Sequence, residues 1–506
     1  MRGIWEEFRA ALCIPGGNRR TPPPPPRPGR AGEDLLSALP DDMLLLVLLR
    51  LPSAAAAART SVLSRRWRHL WARLPELRFR FRHPADPLAL ARSRAALAAH
   101  AGPALLLLRV VAYDADAGDA AAMLRLAAPR LTGKLFFRNV VPDCRQKMEE
   151  ARAGARAAIE LPCFDKAERL LLRLGYLRLL MPPTGVFAKL TVLYLAHVQF
   201  QGACDLGDAL SSARCPLLQT FTLNHAQGVS NLTICSESLH IMSVHHLEGL
   251  QQLTVVAPIL RELTVFGCFM MRQPVVDISA PVLKYLKWGE TYDPTSVQLG
   301  ELKQLRELDT ICFAGYGLFE YMQNCGIVLL LQHIQKIAVL SMIIFPIDTV
   351  NCQYLMEATT LLLDIENLRL FLITRGHAIG TCVFHMLEIS TSIRRLNLDI
   401  QEGIEEEVAC SPGCVCHQPH DWETKELIFS SLQELKICGL SGADCDFTFV
   451  KRLLGWTPVL KTIIIKFNPS AFVDEELCKE LLALSGPESC MKIHFYRNGA
   501  KVIYTP

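Results

Sequence analysis

Between Leu35 and Trp71 apolar residues recur at helical spacing. Pro40 pre-sets the backbone for a first helical turn, Asp41 and Asp42 suit its positive end, and Leu44, Leu48 and Leu51 follow at i, i+4 and i+7. Pro52 ends that helix and Ser53 can cap the next. After the run Ala54 to Ala58, Leu63, Trp67 and Leu70 repeat the same spacing. Two or three short helices are predicted. A segment of this size buries too little area to stand alone, so its dense leucine must be covered by the rest of the chain or by a partner.

Farther on, the pattern changes to Leu-x-x-Leu-x-Leu with aliphatic or aromatic substitutes. Copies open at Leu190, Leu218, Leu239, Leu260 and Leu283, separated by 28, 21, 21 and 23 residues, and more open at Leu305, Ile334, Ile393, Leu432 and Leu460. The period lies inside the ~20–29 residues of leucine-rich repeats. A competing match at Leu250 leaves individual registers open. Pro216, Pro258, Pro281 and Pro458 each stand two residues before the opening Leu, a rigid start for each strand. In a Leu-x-Leu core the two apolar residues point inward and the residue between them points to the opposite face. Stacked units therefore make a curved parallel sheet whose outer face binds. Tyr194, Thr222, Thr264, Lys287, Asp309, Asn397 and Lys436 occupy that face and are chemically mixed.

The chain has 506 residues, half of them hydrophobic and a fifth charged, which excludes a disordered polyelectrolyte or a collagen-like fibre. Its net charge of +3 is unevenly spread: residues 1–82 hold 15 Arg against 7 acidic residues, or +8, and the remainder carries −5. Part of that arginine falls in a Pro-rich stretch and part in the helical segment, with no aromatic stripe between, so no nucleic-acid partner is expected. Residues 1–33, with the run Pro22 to Pro26, read as a disordered arm. No secretory signal or membrane-spanning run is readable, and 18 scattered cysteines suit reduced thiols in the cytoplasm or nucleus.

Leu39-Pro40-Asp41-Asp42-Met43-Leu44, Val47-Leu48, Leu51-Pro52 and the tail Thr60 to Trp71 with Ser64-Arg65-Arg66-Trp67-Arg68 resemble the F-box in the form typical of plant proteins. The poly-Ala stretch departs from that pattern, where polar residues are more usual. The resemblance implies docking on a Skp-type adaptor and through it on a cullin scaffold. Leu39, Pro40, Leu44, Leu48, Leu51, Leu63, Trp67 and Leu70 would be the adaptor-binding residues. The C-terminal segment, with Ser431-Leu432-Gln433-Glu434-Leu435-Lys436-Ile437, Phe449 to Leu454 and Thr457-Pro458-Val459-Leu460-Lys461, is similar to the FBD region of plant F-box/leucine-rich-repeat proteins. The expected fold is α/β: a helical F-box over 34–80, a curved leucine-rich-repeat solenoid with a parallel sheet over 100–420, and an FBD-type C-terminal cap over 422–497.

The densest chemical cluster is Cys410, Cys414, Cys416, His417 and His420, in a step of 39 residues between the units at Ile393 and Leu432. These donors could close a tetrahedral zinc site, but only one knuckle-like spacing is present. They are read as an insertion near 405–421, and no cofactor is assigned. The chain lacks a Gly-x-Ser-x-Gly elbow, a phosphate loop and a His-Glu-x-x-His helix, so no catalytic residue is named. The expectation is a non-enzymatic substrate-recognition subunit of a ubiquitin ligase that holds an unknown target protein on the repeats. The alternative is a repeat scaffold or ligand sensor that directs no ubiquitination.

Overall fold

The computed structural model describes residues 39–80, 89–143, 146, 148–149, 157–200, 206–269, 273–317, 322–334, 336–347, 353–356, 364–378, 380–390, 392–401, 414–417, 427–442, 444–471, 473, 475–484, 489–497 and 500–505. The arm expected over 1–33 and most of the 405–421 insertion lie outside them. Short helices Asp41–Leu49, Ala54–Arg59 and Trp67–Leu70 come first. A parallel sheet then grows strand by strand from Glu76–Arg80 to Cys490–Arg497, and the antiparallel strand Ala500–Tyr504 covers its last edge. No described helix is long and apolar enough to cross a membrane.

The sheet follows from the first Leu of each Leu-x-Leu core. Leu77 pairs with Leu108, Leu108 with Leu135, Leu135 with Leu170 and Leu170 with Leu193. The column continues through Leu435, Ile463 and Met491, every one buried. Full burial of one such side chain contributes about 1.5–3 kcal/mol, so a solenoid gains stability rung by rung. The recurring spacing of proline before the strands has a local cause. The Leu218 N–H donates to the Cys215 carbonyl (3.2 Å), Leu260 to Ala257 (3.1 Å), Leu283 to Ala280 (3.1 Å) and Leu460 to Thr457 (3.4 Å). Each is a tight turn with proline at its second position, where the fixed φ costs nothing.

The opposite layer changes along the chain. Between residues 231 and 298 each repeat supplies a second strand, and Asn231–Cys235, Gln252–Val256, Val275–Ser279 and Val297–Gln298 pair in parallel as a four-stranded convex sheet. The competing match at Leu250 is one of these strands, with Leu253 and Val255 buried and their neighbours outward. Elsewhere the convex layer is helical, as in Ala117–Ala127, Gly380–Glu388 and Asp444–Gly455. Strand Glu434–Leu440 pairs directly with Arg395–Gln401, so the sheet of the repeats continues into the C-terminal segment.

Candidate functional site

The first helix starts at Pro40, whose carbonyl accepts from the Leu44 N–H (3.1 Å). Asp41 in its first turn pairs with Arg66 (2.7 Å) and Arg73 (3.3 Å), and Arg66 also donates to the Leu39 carbonyl (2.5 Å). The second Arg of Ser-Arg-Arg-Trp thus closes the far end of the motif onto its Leu-Pro-Asp start. Ser53 caps the second helix by accepting from the Ala56 N–H (3.2 Å). The poly-Ala departure has a packing reason: Ala54 and Ala57 are buried beside Leu48 and Leu74, where larger side chains would hold the helix off the first sheet strand.

The eight expected adaptor contacts separate into two groups. Leu44, Leu48, Trp67 and Leu70 are buried in the protein's own core, Leu39 and Leu51 are half-buried, and Pro40 and Leu63 are exposed. Leu44, Leu48, Trp67 and Leu70 have little or no accessible surface in the free chain and hold the helices together. The accessible apolar set is Met43, Leu46, Val47, Val62 and Leu63, exposed by 42–87%. Leu63 alone of these is in the expected set. The missed signal was Met43 to Leu49, apolar around the whole helix: such a helix has two faces to cover, and the protein covers one.

The concave face also departs from expectation. Tyr194, Thr222 and Thr264 are buried, Lys287, Asp309 and Asn397 are half-buried, and Lys436 is exposed. Tyr194 packs with Leu171 and Ala196 against Phe136 from neighbouring strands, a small apolar patch on the face expected to be solvated. Lys287 and Asp309 pair at 3.4 Å. Toward the first strands the face is basic. Arg78 lies beside Arg109 and Arg138 beside Arg173 across adjacent strands. Burial lowers the pKa of Arg109 and Arg138, and mutual repulsion of the guanidinium groups adds to it.

Past the strand cores, Tyr176, His197, His225 and His246 all have left-handed backbones (φ between 48° and 61°) and stand in register on successive strands. The His197 and His225 rings stack at 4.9 Å, and His225 and His246 at 4.6 Å. Tyr176 and Phe266 close the two ends edge-on. Left-handed backbone costs a side-chain-bearing residue ~1–2 kcal/mol, which the shared ring contacts offset. Burial, followed by Arg173, His225 and Arg138, pulls the His197 pKa down to about 3, while burial, followed by His246 and Lys287, pulls His245 down to about 4. A groove of about 190 Å³ beside the column is lined by Tyr176, His225, Gln227, His246 and Glu248.

Of the Cys/His cluster, Cys414 and Cys416 are buried and meet His377, a residue from the repeat before them that sequence spacing could not connect. His417 lies in the same short 3-10 helix, Val415–His417. Cys410 and His420 are outside the described residues.

Two family models match this chain. The F-box domain matches residues 36–79, and residues 147–301 match the model described as "FBD-associated F-box protein At5g56370, LRR repeats". The chain carries an F-box domain and leucine-rich repeats of this type. The second match ends at residue 301, close to the end of the four-stranded convex sheet at Gln298. No curated protein matches the chain. An F-box in general binds a Skp-type adaptor, and F-box/leucine-rich-repeat proteins typically serve as non-catalytic substrate adaptors in ubiquitin ligases.

Proposed function

We propose that this F-box/leucine-rich-repeat protein is the substrate-recognition subunit of a Skp/cullin/F-box ubiquitin ligase of a plant cell, acting in the cytoplasm or nucleus. The observation that carries the reading is the unpaired apolar set Met43, Leu46, Val47, Val62 and Leu63 on an F-box whose own core is already filled by Leu44, Leu48, Trp67 and Leu70. Exposed aliphatic anchors beside a satisfied core suit a docking surface for the adaptor, which would in turn join the cullin scaffold. The concave face would hold a target protein. Its Arg109, Arg138 and Arg173 favour an acidic target segment, because guanidinium groups crowded together gain from a shared counter-charge. Residues 422–497, read as the FBD region, extend the same sheet.

The mechanism is proximity. Holding a target lysine near the charged conjugating enzyme raises its effective concentration, so ubiquitin-transfer chemistry belongs to the partners and this chain is no enzyme. The test is a titration of the full chain against a purified Skp-type adaptor. Met43→Asp and Leu63→Asp should each weaken binding at least tenfold, while Val275→Asp, at an exposed apolar position on the convex sheet, should leave it unchanged. Equal binding by all four proteins would refute the assignment. Ubiquitination of a bound target that survives Leu63→Asp would favour the scaffold reading instead.

A further inference from the structure

We propose that His377, Cys414 and Cys416 form a zinc site that fastens the insertion after strand Arg395–Gln401 to the preceding repeat. The three side chains are buried, and their donor atoms all lie within 4.8 Å of one another. Cys414 Sγ is 3.4 Å from His377 Nδ1. A tetrahedral zinc with Zn–S of about 2.3 Å and Zn–N of about 2.0 Å separates sulfur from nitrogen by about 3.5 Å and two sulfurs by about 3.8 Å. The Cys414–His377 pair already stands at nearly its expected separation, and the remaining donor atoms lie within reach of a shared ion. Two thiols and an imidazole are the donor types zinc takes most readily, and three of them leave one tetrahedral position for water or another ligand.

The imidazole is held from both sides of its turn. The His377 N–H donates to the Thr374 carbonyl (2.9 Å), its ring lies flat on Tyr316 at 5.1 Å, and the Tyr316 hydroxyl donates to the Ala378 carbonyl (3.1 Å). A ligand whose orientation is set before the metal arrives loses little entropy on binding. His377 follows the end of strand Ile365–Ile373, and Cys414 and Cys416 follow the end of the next one, Arg395–Gln401. The ion would therefore bridge two adjacent repeats at one rim of the solenoid, 37 residues apart in sequence for Cys414 and His377. Loading releases two protons from the thiols, so the affinity falls as pH falls. This inference is independent of the ubiquitin-ligase reading.

The test uses the full chain, purified without chelator and dialysed against zinc-free buffer. One equivalent of zinc per chain is expected by elemental analysis, and replacement by Co2+ should give the thiolate-to-cobalt charge-transfer band of a tetrahedral sulfur-ligated site. His377→Gln and Cys414→Ser should each lower zinc affinity at least tenfold, while Cys235→Ser, at an exposed thiol on the convex sheet, should not. The cobalt spectrum needs no variant, so poor folding of either one leaves the proposal open to refutation. Three results would overturn it: no cobalt band in the wild type, equal zinc in all variants, or a Cys414–Cys416 disulfide in the protein as isolated.

Discussion

The histidine column makes this solenoid acid-sensitive in a defined place. His197 is neutral in the folded protein down to a pKa of about 3, against an ordinary value of 6.5. A base with a depressed folded-state pKa contributes its full stability above the unfolded value and loses it as pH falls from 6.5 toward 3, because the unfolded chain takes up the proton first. At pH 5.0 the loss works out at about 2 kcal/mol, a thirtyfold change in the local opening equilibrium. Repeat arrays open piecewise, so the assay is hydrogen exchange of strands Val192–Phe200 and Thr220–Gln227 rather than a single melting curve. The variant is His197→Asn, since asparagine tolerates the left-handed φ of 48° and does not titrate. Between pH 7.5 and 5.0 the wild type should lose about thirtyfold more protection in these two strands than the variant does. Intrinsic exchange rates cancel because each comparison is made at one pH. Equal losses in both proteins would show that His197 titrates normally and that the column is not a buried neutral stack.

Other consequences can be checked more briefly. Leu44→Ala, which empties a fully buried site, should cost about 2–5 kcal/mol, whereas Met43→Ala one residue earlier should stay within about 0.5 kcal/mol; urea unfolding of the two variants reads the difference. Gly439→Ala would drive a Cβ into the Ile400 carbonyl at a φ of 87°, and soluble yield should collapse. Gly249→Ala has a similar φ of 89° but open space around it, so it should cost only about 1 kcal/mol by thermal unfolding. Asp41→Asn removes two ion pairs that water already screens, and its effect on stability should stay below about 1 kcal/mol, falling further at high salt.

Much of the fold was legible because a repeat advertises its own period. The units at Leu190, Leu218, Leu239, Leu260 and Leu283 all open main-sheet strands, and the prolines before Leu218, Leu260 and Leu283 sit in the turns that start their strands. The unit around Leu368 and Leu370 was missed, as were Leu77, Leu108 and Leu135 at the front. Pro103 and Pro129 do stand two residues before Leu105 and Leu131, but runs such as Leu105 to Leu108 have no period to read. Site residues were harder. A motif names positions but not the direction each side chain faces, so Leu44 and Trp67 were grouped with Leu63 although their surroundings are opposite. His377 could not be joined to Cys414 by spacing, because the contact depends on how two repeats stack. Tyr194 and Thr264 were expected in solvent because alternation gives the face of a strand and not the height of its neighbours.

The front of the solenoid bears on how such a protein would present a target. The segment expected as the F-box, 34–80, ends in strand Glu76–Arg80, which is the first strand of the sheet and pairs in parallel with Leu105–Tyr113. Leu74 and Leu77 belong to the same core as Leu44, Leu48 and Trp67. Three further bonds cross the junction: the Ala101 N–H to the Ala72 carbonyl (2.8 Å), the Leu106 N–H to Pro75 (2.7 Å) and His100 Nε2 with the Leu74 carbonyl (2.8 Å). Among the described residues the helices run directly into the first sheet strand, so the distance from the exposed F-box face to the concave face is set by packing rather than by chain entropy. A stiff connection of this kind gives one effective concentration for a bound target instead of an average over many geometries. It also means that deleting residues 35–75 would strip the cover from Leu77 and Leu108 and unravel the first repeats. Loss of function in such a deletion would report misfolding, and only surface changes such as Leu63→Asp can separate docking from stability.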